Sequence, residues 1–166
     1  MTLNRYRLVF LFLVALVSAP RGFAQAQCPW LNAATAGGLL GGDVQTVVSA
    51  PNTLGDVNCD FTRNPGPAAS MLKIDVHTMT NPSKDFGAYL AQCGGPTQPL
   101  KAIGNEAVQC FSSSNAKGEE RIIGRVRDRA FIISLKASPP YRTSSSKAEL
   151  SDEARNLAEQ VAGALF

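Results

Sequence analysis

The sequence predicts an α+β domain: a mostly antiparallel sheet with helices packed on it, in the order α-β-β-β-α-β-β-β-α. Three observations carry this. Short stretches of alternating apolar residues follow one another with turn residues between them, which favours neighbouring antiparallel strands. Three other stretches, near the beginning, middle and end, space their apolar residues as a helix does. Four cysteines, Cys28, Cys59, Cys93 and Cys110, stand beside these elements, and an even count in an exported chain implies disulfides.

The first element in the chain is a leader. Asn4-Arg5-Tyr6-Arg7 is basic, 8–19 is apolar, and Ala24-Gln25-Ala26 offers small residues where a signal peptidase reads. This pattern predicts a cleaved signal peptide over 1–26 and a single domain over 27–166. The apolar run is too short for a comfortable bilayer span. Gln27 before Cys28 speaks against lipid attachment, which wants a small residue there. Export to the periplasm or the extracellular space is therefore expected, without stable membrane insertion. Cleavage removes three of the sixteen Lys and Arg (Arg5, Arg7, Arg21) and none of the thirteen Asp and Glu. The mature chain is balanced, thirteen against thirteen, so net charge gives no pull toward nucleic acid.

Within the domain, Asn32 caps a helix over 33–40, and Gly41-Gly42 ends it. The Gly-Gly-Leu-Leu-Gly-Gly run lacks the Gly-Lys-Ser/Thr end of a phosphate loop. Strands are predicted over 44–49 and 57–63, with Val57, Cys59 and Phe61 turned inward. Asn64-Pro65-Gly66-Pro67 is a loop. Over 70–79, Leu72, Ile74 and Val76 face one way, and Lys73, Asp75 and His77 the other. Asn81-Pro82 starts a second helix with Phe86, Tyr89 and Leu90 on its apolar side, and Cys93-Gly94-Gly95-Pro96 closes it. The two halves, each a helix followed by three strands, suggest an internal duplication.

A loop entering a strand follows over 100–111, then a polar loop over 112–119, then the central hairpin at 121–136. A turn at Arg127-Asp128 sets Val126 opposite Arg129, Gly124 opposite Phe131 and Ile122 opposite Ile133. Ile122, Gly124, Val126, Phe131, Ile133 and Leu135 then share a core face, with Phe131 covering the gap at Gly124. Arg121, Ile123, Arg125, Ala130, Ile132, Ser134 and Lys136 share the other face, a mixed one with a basic stripe. After Pro139-Pro140 and the serines 144–146, a closing helix spans 147–165. Ser146 and Glu149 have capping-box spacing, and Leu150, Ala154, Leu157, Val161 and Leu165 form one stripe.

Four cysteines allow three pairings. Cys28–Cys59 and Cys93–Cys110 are favoured because each joins a helix end to a nearby strand. Each would stabilise by ~3 kcal/mol in the chain-entropy picture. A zinc site is not expected: there is no Cys-x-x-Cys, and His77 is the single histidine. No metal or cofactor is expected.

Chemistry-bearing candidates are few. Asp75 and His77 share a strand face, the spacing of a general-base pair or two metal ligands, but read more simply as solvated strand residues. Ser112-Ser113-Ser114 and Ser144-Ser145-Ser146 lack a nucleophile setting. Glu119-Glu120 reads as a solvated pair in a polar loop. The arginines Arg121, Arg125, Arg127 and Arg129 are the candidate ligand-binding set, because guanidinium forks suit carboxylate, phosphate or sulfate. Their simpler role is edge protection and solubility, with Asp128 and Glu120 neutralising part of the field.

Cys28-Pro29-Trp30-Leu31-Asn32, the second cysteine on the second strand, Pro99-Leu100-Lys101-Ala102-Ile103-Gly104-Asn105-Glu106-Ala107 and the closing helix together resemble a group of small exported bacterial domains. Gly104 to Ala107 is similar to the Gly-Asp-Glu-Ala turn that opens their second set of strands. More distantly the layout resembles the extracytoplasmic sensor domains of bacterial receptor kinases, which also use two disulfides. The chain departs from both in lacking a lipid-attachment signal and a kinase or membrane-spanning segment. The resemblance implies fold and location rather than an activity. In the turn itself, Gly104 supplies a positive backbone angle, Asn105 suits the turn, and Glu106 is expected to accept backbone hydrogen bonds.

The functional expectation is a non-enzymatic ligand-binding or sensor-type module using the sheet's outer face or a cleft between sheet and helices. Its partner would be an anionic small molecule or an envelope protein. The alternatives are a structural, protein-interacting envelope component and a small hydrolase built around Asp75, His77 or Glu106.

Overall fold

The computed structural model describes residues 27–63, 69–112, 119–136 and 144–166. The leader expected over 1–26, the loop expected at 64–67, the serines 113–114 and the prolines 139–140 lie outside the described residues. Three helices, α1 (Ala33–Leu40), α2 (Pro82–Leu90) and α3 (Ser144–Ala164), accompany seven strands. The strands are β1 (Gln45–Val48), β2 (Val57–Arg63), β3 (Ser70–Thr78), β4 (Thr97–Leu100), β5 (Glu106–Ser112), β6 (Glu119–Val126) and β7 (Arg129–Lys136). They form one sheet, β1-β2-β3-β7-β6-β5-β4, antiparallel throughout. The α+β class and the order of elements are as the sequence predicts. β4 is an addition: an exposed edge strand whose Pro99 cannot donate to a further neighbour, which blunts that edge.

The β6–β7 hairpin has the expected register, Val126 opposite Arg129, Gly124 opposite Phe131 and Ile122 opposite Ile133. Arg127 takes positive φ (54°) at its tip. β3 pairs with β7, so the two meanders meet at the centre through Ile74–Ile133 and Val76–Phe131. A main core lies on one face. Cys59, Phe61, Leu72, Ile74, Val76, Ile122, Phe131 and Ile133 supply its floor, Leu31, Ala36 and Leu40 come from α1 and its lead-in, and Ala154, Leu157 and Val161 come from α3. The α3 stripe is the predicted one, but the helix begins at Ser144, so Ser146 falls inside its first turn rather than at its cap.

α1 ends at Gly41 in the left-handed conformation (φ 80°), with Gly42 N–H donating to the Gly37 carbonyl. α2 starts differently from expectation. Asn81 makes no side-chain cap; Asp85 reaches back and accepts from the Asn81 N–H at 2.8 Å. α2 packs on the opposite face of the sheet, where Phe86 buries against Met79, Ile123, Ala130 and Ile132. Half of the hairpin's mixed face is therefore a second, smaller core. This placement also separates the two halves of the chain. Antiparallel β3 and β7 can be exchanged only by an axis perpendicular to the sheet, which would keep α1 and α2 on one face.

Both favoured disulfides are present. Cys28–Cys59 ties the lead-in of α1 to β2 within the main core, and Cys93–Cys110 ties the end of α2 to β5 on the other face. No helix among the described residues is long and apolar enough to cross a membrane.

Candidate functional site

Beyond the end of α2, the outer face opens into a cleft of about 330 Å³. Strand register lays out its floor. One cross-strand row is Lys73 on β3, Ser134 on β7 and Arg121 on β6; the adjacent row is Met71, Lys136 and Glu119. Asp75 and Ile132 begin a third row, and Gln92 beyond α2 forms a wall. Neighbouring strands lie about 4.8 Å apart, so Lys73 and Arg121 stand roughly 10 Å apart with Ser134 between them.

Ser134 Oγ accepts from Arg121 Nε at 3.2 Å, which leaves its own O–H to donate into the cleft. Arg121 is held from two further sides: Nη2 lies 2.6 Å from Glu119 Oε1, and Nη1 donates to the Gln92 carbonyl at 3.3 Å. Lys73 Nζ lies 3.4 Å from Asp75 Oδ1, and the Asn58 amide also donates to Asp75. Lys136 faces Glu119 in register, yet that carboxylate is taken by Arg121. Among the described residues, Lys136 makes no ion pair. Among the lining residues three cations face two carboxylates, and Asp60 stands opposite Lys73 on β2, so Lys136 is the cation left without a carboxylate of its own over a floor with apolar Ile132 and Met71.

The four predicted arginines do not form one site. Only Arg121 lines the cleft. Arg125 pairs with Glu106, Nε and Nη2 each at 2.8 Å, and lies over the Phe86 ring of α2 at 5.9 Å. Arg127 at the hairpin tip lies over Phe166 at 5.8 Å. Arg129 donates to the Gly55 carbonyl at 3.3 Å. Alternation places Arg121 and Arg125 on one face, but α2 lies over Arg125 and not over the cleft.

Asp75 and His77 share a face without pairing. His77 Nδ1 lies 3.4 Å from Asp56 Oδ2, and its ring stacks on Tyr89 of α2 at 5.4 Å. Burial raises the Asp56 carboxyl. The Thr78 N–H at 2.7 Å, the Asn52 amide at 3.0 Å and His77 outweigh that and hold it below the ordinary aspartate range. Among the described residues no hydroxyl or thiol hydrogen-bonds His77, and no group of three His, Cys, Asp or Glu is placed to hold a metal ion.

Two carboxylates differ from expectation. Glu106 accepts from Arg125 rather than anchoring the turn's backbone; the turn is closed by Asn105, whose Oδ1 accepts from Arg127 N–H at 2.6 Å and whose N–H donates to Arg125 O at 2.8 Å. Glu120 is buried, not solvated. It lies on the main-core face, where the Gln109 amide donates both to it and to Ser151 Oγ of α3. Strand parity explains this, since Glu120 is two residues from Ile122 and opposite Leu135.

The site residues that sequence reasoning did not gather with the hairpin's outer face are Met71, Lys73, Asp75, Gln92 and Glu119. Alternation puts Lys73 on the outer face of β3, but only the β3–β7 pairing brings it beside Ser134. No protein-family model, no curated protein and no solved structure matches this chain.

Proposed function

We propose that this protein is a non-enzymatic binding module that holds a small organic anion in the outer-face cleft. The carrying observation is the charge pattern around Ser134: Lys73, Arg121 and Lys136 surround one hydroxyl, and Lys136 keeps no carboxylate of its own among the described residues. A Lys136 ammonium with no carboxylate of its own among the described residues and an apolar floor at Ile132 and Met71 suit a monoanion, a carboxylate on an apolar body. The carboxylate would take the Ser134 O–H and the Lys136 ammonium while the body lies on Ile132. Work outside the cytoplasm, in the periplasm or beyond the cell, accords with the two disulfides and the leader-like start.

Titration of benzoate into the disulfide-bonded protein by calorimetry tests the reading. Removing the Lys136 ammonium together with the guanidinium that positions Ser134, Lys136→Ala with Arg121→Ala, weakens binding at least about tenfold, since a hydrogen bond to a charged group contributes ~1.5–3 kcal/mol. Arg125→Ala, outside the cleft, leaves it unchanged. Equal losses in the two variants, or none in the first, would overturn the assignment.

A further inference from the structure

We infer that the Cys93–Cys110 disulfide is a redox latch on this cleft, so that reduction by a dithiol loosens the end of α2 and weakens anion binding. The inference rests on the cleft being the binding site.

α2 has nine residues and one fully buried side chain, Phe86. Past its end, Gln92 N–H donates to the Tyr89 carbonyl and Cys93 N–H to Leu90, each at 3.0 Å, so the wall of the cleft is a single extra turn. Two of the ties between that turn and the sheet bear on the cleft. One is the Gln92 carbonyl on Arg121 Nη1 at 3.3 Å; the other is the disulfide from Cys93 to Cys110, the residue directly opposite Arg121 on β5. Gln92, Cys93, Cys110 and Arg121 thus close a small ring, and the guanidinium that positions Ser134 is one corner of it. Opening the disulfide removes the covalent tie and leaves the Gln92 carbonyl–guanidinium bond, beside solvent, and the packing of Leu90 and Cys93 on the smaller core. Arg121 then loses an anchor that orients its fork, and the cleft loses its fixed wall.

The two disulfides differ in access. Cys28 and Cys59 are 8% and 0% exposed and sit in the main core; in the other pair Cys110 is 1% exposed, but Cys93 is only partly buried, so its Sγ is the sulfur within reach. A dithiol's thiolate attacks Cys93 Sγ and expels Cys110 as thiolate. Its second sulfur then attacks the mixed disulfide and releases Cys93 as thiolate. Two electrons pass to the protein, and the dithiol leaves as its own disulfide.

The test uses the folded protein before and after limited dithiothreitol treatment, beside a Cys93→Ser/Cys110→Ser variant. Alkylation and mass spectrometry identify the opened pair, circular dichroism checks the fold, and amide exchange and benzoate titration read the latch. Cys93 and Cys110 are alkylated first while Cys28–Cys59 stays closed. Exchange at Gln92 and Cys93 rises about a hundredfold with the strands unchanged, the order a loop constraint of this length supplies, and benzoate affinity falls about tenfold. Unchanged exchange or unchanged affinity after opening overturns the latch alone. Benzoate that fails to bind even the oxidised protein overturns the cleft assignment and the latch with it. Should the variant fail to fold, the treated native protein decides the same question.

Discussion

Gly124→Ala probes the centre of the sheet. The Phe131 ring lies across Gly124 on the core face, and a methyl group built there would meet its end, with Cζ nearest and Cε2 at 2.9 Å. Phe131 is 0% exposed and is hemmed in by the surrounding core, so the ring cannot swing away without displacing neighbours. Overpacking of this kind costs about 1–3 kcal/mol. Replacing a strand glycine returns roughly 0.5–1 kcal/mol of backbone entropy. The net expectation is a loss of about 0–2.5 kcal/mol. Urea denaturation of the disulfide-intact protein measures it as a lowered midpoint at constant slope. The cause is specific enough for a double-mutant cycle. Phe131→Leu removes the ring end, so Gly124→Ala should cost little in its presence, with a coupling of about 1–2 kcal/mol. Two strictly additive substitutions would refute the covering of Gly124 by Phe131.

Three further expectations follow from the same geometry. Gly104→Ala should destabilise by about 2–4 kcal/mol, because Gly104 holds φ +60° and an added methyl runs into the Arg125 carbonyl; thermal unfolding reads this, and a change below experimental error would contradict it. Leu157→Ala, beneath α3 at 3% exposure, should cost about 2–5 kcal/mol in the same urea assay. Asp56 and Asp60 should respond oppositely to acid. Asp56 is held below its ordinary range, so its contribution is present above about pH 4 and fades as pH falls through its lowered value. Asp60 is raised by burial, with Asp75 adding to and Lys73 opposing that rise, so its ionisation weakens the fold at neutral pH and the penalty lifts as pH falls. Asp56→Asn should therefore destabilise at pH 7 and flatten the acid limb of the stability curve, while Asp60→Asn should stabilise at pH 7. The same sign for both would refute this.

Much of the fold was legible because strand alternation and helix spacing are local. Leu72, Ile74 and Val76 name their own face, and the α3 stripe names its own core. The cysteine pairing was legible because each bond closes a helix end onto a nearby strand. The missing parts are those that depend on distant partners. β4 escaped because Thr97–Leu100 is exposed and has no alternation to read. The stripe Phe86, Tyr89 and Leu90 announces an amphipathic helix but not which side of the sheet it covers, and that choice separates Arg121 from Arg125. His77 reaches Asp56 across 21 residues of sequence rather than Asp75 two residues away. The cleft itself depends on the β3–β7 pairing, which no local pattern encodes.

The most direct measurement of the central claim is an amide NMR titration of the oxidised protein with benzoate. The account predicts saturable shifts centred on Lys73, Arg121, Ser134 and Lys136, absent in the Arg121→Ala/Lys136→Ala protein. Shifts centred instead on the hairpin tip at Arg127 and Arg129, or none at all, would contradict it.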